Sequence, residues 1–279
     1  MHQRDVDTVW LRRYAVLVAC STLALVIAGG LVTGNDAALS IPDWPLNWGR
    51  LIPPLHANIR YEFAHRALAL IVTLLIGGLA WRLRTKLAWA ALGTVLAQAA
   101  LGGVLVRFVD PAPLAVMHAA LAQLLFGITV AIAVSPTTRD RKGALAPALL
   151  VTPIALFAQT VLGAAVRHGI AGPLPHIVGA AIATILVMWA GLGTLMTNPG
   201  DAKMRRRAIA LLGHTFTQIA LGIAAYIARD AAEGAPQPIP VVVWITVAHT
   251  AMGSLVFGSA IALAISGQAR KPALQMVTA

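Results

Sequence analysis

Eight long apolar runs divide the chain, at residues 14–34, 61–81, 87–107, 112–135, 144–166, 173–196, 208–228 and 240–266. A helix needs roughly 20 mostly apolar residues to cross the hydrocarbon core of a bilayer, and each run is about that long. The runs are continuously apolar and do not alternate with period two, so they read as helices and not as the strands of a barrel. The expected class is an all-α polytopic membrane protein with eight transmembrane helices. Only 11% of the 279 residues are charged, against about a quarter in soluble domains. That excludes a soluble globular enzyme, a disordered chain and a nucleic-acid-binding domain of the usual kind. The partner implied by composition is the lipid bilayer, with no nucleic acid.

The net charge of +11 falls almost wholly between the runs. Arg4, Arg12 and Arg13 precede the first. Arg82, Arg84 and Lys86 lie between runs two and three, and Arg139, Arg141 and Lys142 between four and five. Lys203, Arg205, Arg206 and Arg207 lie between six and seven, and Arg270 and Lys271 follow the last. Fifteen of the 21 basic residues therefore fall on one side, leaving Arg50, Arg60, Arg66, Arg107, Arg167 and Arg229 for the other. The excess of basic residues in cytoplasmic loops puts both termini in the cytoplasm of a multi-pass cell-membrane protein. The first run is too long for a signal-peptide core and lacks a small-residue cleavage site, so it reads as an uncleaved helix. Cys20 is the single cysteine, which excludes an intramolecular disulfide and a cysteine-based metal site.

The sequence repeats itself. His118 to Gly127 reads HAALAQLLFG and His249 to Gly258 reads HTAMGSLVFG, in runs four and eight. Gln-x-x-Leu-Gly occurs at Gln98–Gly102, Gln159–Gly163 and Gln218–Gly222, in runs three, five and seven. HRALALIV follows from His65 in run two, and HIVGAAIA from His176 in run six. Two pseudo-repeated four-helix bundles account for this, with halves at 1–142 and 143–279. Four helices preserve direction across a membrane, so the repeat would be parallel, about an axis along the membrane normal.

Ionisable groups inside membrane spans are costly and mark functional sites by default. Of the ten acidic residues, Glu62 alone falls within a run; Asp5, Asp7, Asp36, Asp43, Asp110, Asp140, Asp201, Asp230 and Glu233 fall in loops or tails. His65, His118, His176 and His249 all lie in even-numbered runs, about 6–14 Å below the outer interface at the helical rise of 1.5 Å per residue. Any one of them could be a side chain hydrogen-bonded across helices. Four at one depth, two in each half, point instead to ligation. Two neutral imidazoles facing each other across a bundle form the usual axial pair for a buried haem iron. Zinc is the other possibility, although its sites usually add thiolates or carboxylates and Glu62 is the sole candidate.

Glu62 and His65 are spaced i, i+3 on one helix face. Glu62 could move protons, orient a water, or hold His65 without chemistry of its own. Arg66 could meet a haem propionate or snorkel to the interface. His56 and His168 fall in outer loops and are expected to be solvated, His2 is in a tail, and His214 is a helix-end or interface residue at the wrong depth. The longest outer connection, about 35–60, is rich in proline and tryptophan and is expected to form a structured flap. Trp44 and Trp48 in it are either interfacial anchors or covers over the mouth of a site at the depth of His65.

The loop string SIPDWPLNWG followed by PP, the EFAHR string at Glu62–Arg66, the Gln-x-x-Leu-Gly strings and the four span histidines together resemble the haem A synthase family, over nearly the whole chain. The resemblance implies an eight-helix membrane oxidoreductase of two similar halves. Such an enzyme takes the ring methyl of its substrate, haem O, to the formyl of haem A by successive hydroxylation, with loss of water from a hydrated aldehyde. Carried over, it places a haem b iron on His176 and His249 and the substrate haem between His65 and His118, with Glu62 implicated in catalysis. It further implies an electron acceptor such as the quinone pool, and haem O synthase as a partner.

The sequence departs from the family in places. Many bacterial members carry a cysteine just before PDWPL and another just after, where this chain has Ile41 and Asn47; a second outer-loop cysteine pair of some members is also missing. The second half has Pro173, Leu174 and Pro175 ahead of His176 in place of an EFxHR copy. Two other functions fit parts of the pattern. One is a bis-histidine membrane cytochrome b carrying electrons between quinol and an outer-face partner, for which Glu62 beside one pair has no purpose. The other is a transporter, which the parallel repeat suggests but which needs broken helices and midplane polar groups.

Overall fold

A computed structural model describes residues 3–135 and 146–268, with side chains for 9–135 and 146–267. His2, Asp140, the basic residues Arg139, Arg141, Lys142, Arg270 and Lys271, the side chains of Arg4, Asp5 and Asp7, and the 142/143 boundary between the expected halves lie outside the described residues. Eight helices run in chain order: α1 Gln3–Gly34, α2 Ile59–Leu83, α3 Lys86–Arg107, α4 Ala112–Val134, α5 Pro147–Arg167, α6 Pro173–Thr197, α7 Ala202–Ala231 and α8 Pro240–Gln268. All eight are long and apolar enough to cross a membrane, which bears out the all-α polytopic expectation. No strand forms among the described residues, only an isolated bridge between Asn47 and Arg50.

The helix ends follow local chemistry. α3 starts where the Thr85 hydroxyl accepts the Ala88 N–H at 3.2 Å, and α7 starts where Asp201 accepts the amides of Lys203 and Met204 at 2.9 and 3.0 Å. These side chains take up amides that an α-helix leaves without partners in its first turn. Proline opens α4, α5 and α6, at positions where its missing N–H costs nothing. Inside the spans, the buried hydroxyls of Thr22, Thr152, Thr194 and Thr215 each bond the carbonyl four residues back, at 2.7–2.8 Å. Such local bonds satisfy polar groups that lipid cannot.

α1 to α4 pack as a closed ring through α1·α2, α2·α3, α3·α4 and α1·α4, and α5 to α8 close a second ring in the same way. The rings meet along α1·α8, α4·α5 and α4·α8. Exchanging α1–α4 with α5–α8 maps these three contacts onto themselves, which is the pattern two equivalent halves would make. Each ring has its own apolar core. Val18, Val72, Ile76, Leu79, Val95 and Leu125 belong to the first, and Val187, Leu211, Val256, Phe257 and Leu263 to the second.

At the seam the contact is reciprocal. A Cβ on Gly127 of α4 would lie 2.8 Å from the Phe257 ring of α8, and a Cβ on Gly258 of α8 would lie 3.1 Å from the Phe126 ring of α4. The Phe-Gly pair closing each ten-residue repeat is thus a ring-into-notch joint. Among the described residues, Phe126 is the only buried one of α1–α4 that joins the second core. Beside the joint, Gln123 Nε2 donates to Ser254 Oγ at 2.9 Å, between residues five positions after His118 and five after His249. Small residues that let helices approach are the usual means of association in membranes, where no hydrophobic force drives helices together.

Gly127→Ala should therefore overpack the seam, at a cost of about 1–3 kcal/mol, and lower the Tm of the detergent-solubilised protein. Phe257→Leu in the same chain should restore much of the loss. Gly193→Ala, where an added Cβ meets nothing within 4 Å, should leave the Tm in place. Thermal melts of the four proteins test the joint.

Candidate functional site

The four span histidines point at helix–helix contacts, and each ring is met by a glycine of the preceding helix. A Cβ built on Gly29 of α1 would lie 3.2 Å from His65 Cε1, and one on Gly102 of α3 would lie 3.5 Å from His118 Cε1. The corresponding distances are 3.0 Å from Gly163 of α5 to His176 and 2.9 Å from Gly222 of α7 to His249. Any larger residue would fill the space beside the imidazole. Three of these glycines end the Gln-x-x-Leu-Gly strings, and the glutamine one turn earlier reaches the same histidine. Gln98 Nε2 donates to the backbone carbonyl of His118 at 2.9 Å. Gln159 Nε2 lies 2.8 Å from the carbonyl of His176 and 2.9 Å from its Nδ1. Gln218 Nε2 lies 3.3 Å from His249 Nε2. The repeated strings are thus histidine-facing notches. The notch in α1 has Leu25 where the others have glutamine, which is why the repeat was not visible there in sequence.

His176 and His249 face each other with ring centroids 6.2 Å apart and planes at 82°. With metal–imidazole bonds of about 2 Å, two imidazoles on opposite sides of one ion have ring centres roughly 6 Å apart. His65 and His118 lie within electrostatic range of each other. The Nδ1 atoms of His65, His118 and His249 are buried without a partner, although buried polar groups normally find one. No group of three or more metal-ligating side chains forms among the described residues, so the multi-ligand protein site that zinc needs is not built there. Two imidazoles suffice for a metal that brings a macrocycle of its own ligands, and this donor set fits a haem iron.

Glu62 and Arg66 do not touch His65 in this arrangement. They form an ion pair, with Arg66 Nη2 donating to Glu62 Oε1 at 2.6 Å, and both hold the outer loop by its backbone. The Ile41 N–H donates to Glu62 Oε2 at 2.9 Å. Arg66 donates to the carbonyls of Asp43, Leu46 and Ile41 at 2.7, 3.0 and 3.1 Å. Ile41 is wholly buried, so an apolar side chain and backbone bonds dock the loop here. Asn47 bridges to Arg50 across a turn in which Trp48 and Gly49 both have positive φ, 56° and 65°. That is the two-residue turn that favours glycine. The Asp43 carboxylate accepts the Trp48 and Gly49 amides at 2.6 and 2.7 Å. Trp44 lies on α3, its ring 2.8 Å from where a Gly103 Cβ would be, next to the glycine that faces His118. The loop is therefore a flap pinned on α2 by Glu62 and Arg66 and packed on α3 by Trp44.

His56 is exposed, as expected. His168, expected to be solvated, is half-buried near Asp110; burial lowers its pKa while Asp110 acts against that. His214 Nδ1 lies 2.9 Å from Ser259 Oγ of α8 and takes the interface role. Sequence reading missed the four facing glycines as parts of the site and the backbone grip of Glu62 and Arg66 on the loop.

Residues 11–130 match the sequence model of the COX15-CtaA family, described as a cytochrome oxidase assembly protein. Over that stretch, which holds the flap, EFAHR and His118, the resemblance to haem A synthases is borne out. No curated protein matches the chain.

Removing one partner of a buried ion pair costs about 3–5 kcal/mol. Because Arg66 keeps its carbonyls, Glu62→Ala should sit at the low end, raising protease cleavage within 42–57 by roughly a hundredfold. The amides of Gly49 and Trp48 hold the Asp43 carboxyl below the usual carboxylate range. A group with a lowered folded pKa contributes stability above its unfolded value, near 3.9, and loses it as pH falls through the folded one. Cleavage of the wild-type flap should therefore be flat from pH 8 to 5, and Asp43→Asn should raise it across that window.

Proposed function

We propose that the protein is a haem A synthase-type membrane oxidoreductase that converts the ring methyl of haem O to the formyl of haem A. The haem-linked character rests on the family matched by residues 11–130 and on a donor set suited to haem iron. The observation that carries the catalytic reading is the asymmetry between the two histidine pairs. Glu62, the one buried acidic side chain among the described residues, stands with its pinned flap beside His65. In this reading His176 and His249 of the second half, residues 143–279, hold a resident haem b iron, and His65 and His118 of the first half, residues 1–142, receive haem O. The resident haem supplies one-electron redox chemistry.

The chain's own residues do the remaining work. The Gly29 and Gly102 notches let His65 and His118 approach the substrate from neighbouring helices. The flap, held by Arg66 and Glu62 and capped by Trp44, shields the reacting methyl from bulk water. With the electrons passed to an acceptor, taking a methyl to an aldehyde consumes one water as the oxygen donor and releases four electrons and four protons. Glu62, at i, i+3 from His65, is the carboxylate placed to accept a proton at Oε1 or Oε2 when Arg66 or the Ile41 amide yields it. Both termini and the basic loops face the cytoplasm in this proposal, with the histidine pairs toward the outer face. The electrons pass to an acceptor such as the quinone pool, and haem O synthase supplies the substrate.

The facing rings of His176 and His249 also suit an electron-carrying cytochrome b, and product analysis separates the two readings. Cells co-expressing the chain with a haem O source should accumulate haem A in extracted haems. A normal low-spin b-type spectrum with haem O unconverted would favour the carrier. His176→Ala and His249→Ala should each lose the stably bound low-spin haem, and unchanged spectra in both would overturn the assignment. Glu62→Gln keeps an acceptor for the Ile41 amide. It should lower conversion about a hundredfold with the flap still protease-resistant; wild-type conversion would reduce Glu62 to a docking residue.

A further inference from the structure

The glutamines of the repeated strings have no part in the chemistry above, yet each lies against one histidine. Gln98, Gln159 and Gln218 sit four residues before Gly102, Gly163 and Gly222, hence on the same helix face as the notch. The amides of Gln98 and Gln159 are fastened beside the ring by their bonds to the His118 and His176 carbonyls. In the second half the histidine helix makes room in return. A Cβ on Gly179 of α6 would collide with Gln159 Oε1 at 2.3 Å, and one on Gly253 of α8 would lie 3.1 Å from Gln218 Nε2.

The Oε1 atoms of all three glutamines are buried without a partner, as are the Nδ1 atoms of His118 and His249. A buried polar atom left unpaired costs about 1–3 kcal/mol. An imidazole that ligates a metal through one nitrogen carries its proton on the other and nearly always donates it to an oxygen, which fixes tautomer and ring orientation. Turned over, the amides of Gln159 and Gln218 exchange their present Nε2 contacts for an Oε1 acceptor at the ring nitrogen each already faces, Nδ1 of His176 and Nε2 of His249.

We propose that Gln159 and Gln218 are positioning residues, each accepting through Oε1 the N–H of the ring nitrogen it faces, Nδ1 of His176 and Nε2 of His249, when the other ring nitrogen holds iron. The proposal rests on the two-haem reading above. His65 and His118 lie outside this scheme, because α1 offers Leu25 in place of an amide and Gln98 reaches the His118 backbone carbonyl, not its ring.

The test uses the full-length protein carrying its haem. Gln159→Leu and Gln218→Leu should weaken haem retention by about 10–100-fold in a competition with apo-myoglobin, the usual effect of losing such a partner. They should also shift the low-spin EPR signal, which reports the angle between the axial rings, and raise the reduction potential. Gln159→Glu should lower the potential, since a charged acceptor strengthens the donor character of the ring. Gln123→Leu removes an amide that bonds Ser254 in the seam and should leave both signals unchanged. Leucine variants with wild-type EPR and potential would refute the role of the glutamines while leaving the haem site standing. An equal shift in Gln123→Leu would refute it too, by making the effect one of general packing. A wild-type protein without a bis-imidazole signal would overturn the site itself. If a leucine variant fails to fold, the direction of the Gln159→Glu shift decides.

Discussion

An imidazole between two helices in a bilayer must find room and a polar partner inside the protein, because lipid offers neither a hydrogen bond nor a cheap exchange. The arrangement of this chain follows from meeting that demand four times. Each histidine helix is laid beside a helix that supplies a glycine at ring height, which fixes the register of α1 against α2, α3 against α4, α5 against α6 and α7 against α8. Once those pairs are in register, the Phe126–Gly258 and Phe257–Gly127 joints bring α4 and α8 together. His118 and His249 are then carried on the two helices that cross the seam. The helix packing and the candidate site are therefore set by neighbouring contacts on the same helices.

Much of this could be read from the chain. The eight spans were legible because hydrocarbon thickness imposes a length that leaves few alternatives, and the helices begin and end within a few residues of the apolar runs. The exceptions are α1, which starts at Gln3, eleven residues ahead of its run, and α7, which starts at Ala202 and runs to Ala231, its first turn basic and capped by Asp201. The four histidines stood out because ionisable groups are rare in such runs. What each glycine faces was not legible, since a helix of alanine, leucine and glycine gives no sign of which face meets which neighbour. The Gln-x-x-Leu-Gly strings were visible as repeats, but their partners were not. The notch in α1 lacked even that signal, with Leu25 standing where the others carry an amide.

Glu62 and Arg66 show a different limit. Their spacing from His65 suggested direct service to the histidine or to a bound anion, and the charges find each other and a loop instead. The loop wins because its carbonyls cannot stay unpaired at the edge of the apolar region. Arg66 satisfies three of them with one planar, five-donor group. The sequence of the loop, with a buried Ile41 and an Asp43-braced turn, serves that docking. A disulfide would hold such a flap covalently. Here a buried ion pair and backbone hydrogen bonds hold it, so the flap can open without redox chemistry.

The uneven distribution of amides then has a physical consequence. His118, His176 and His249 are each met by a glutamine one turn before their glycine, whereas His65 has a glycine and the backbone of Leu25, with no side-chain amide. An imidazole with a fixed second partner loses little further freedom on binding a metal and holds it in one orientation, while one without it stays free to turn. A site whose occupant must leave after reaction needs at least one weakly held ligand, and a site with a resident cofactor needs none. The first half combines a histidine that lacks a glutamine with a flap closed by non-covalent bonds, and the second combines two histidines that have one with a helix start opened by proline. In the function proposed above, the same four-helix plan would give one histidine pair suited to exchange and one suited to retention, through departures from the repeat at residue 25, at the EFAHR string and in the loop between α1 and α2.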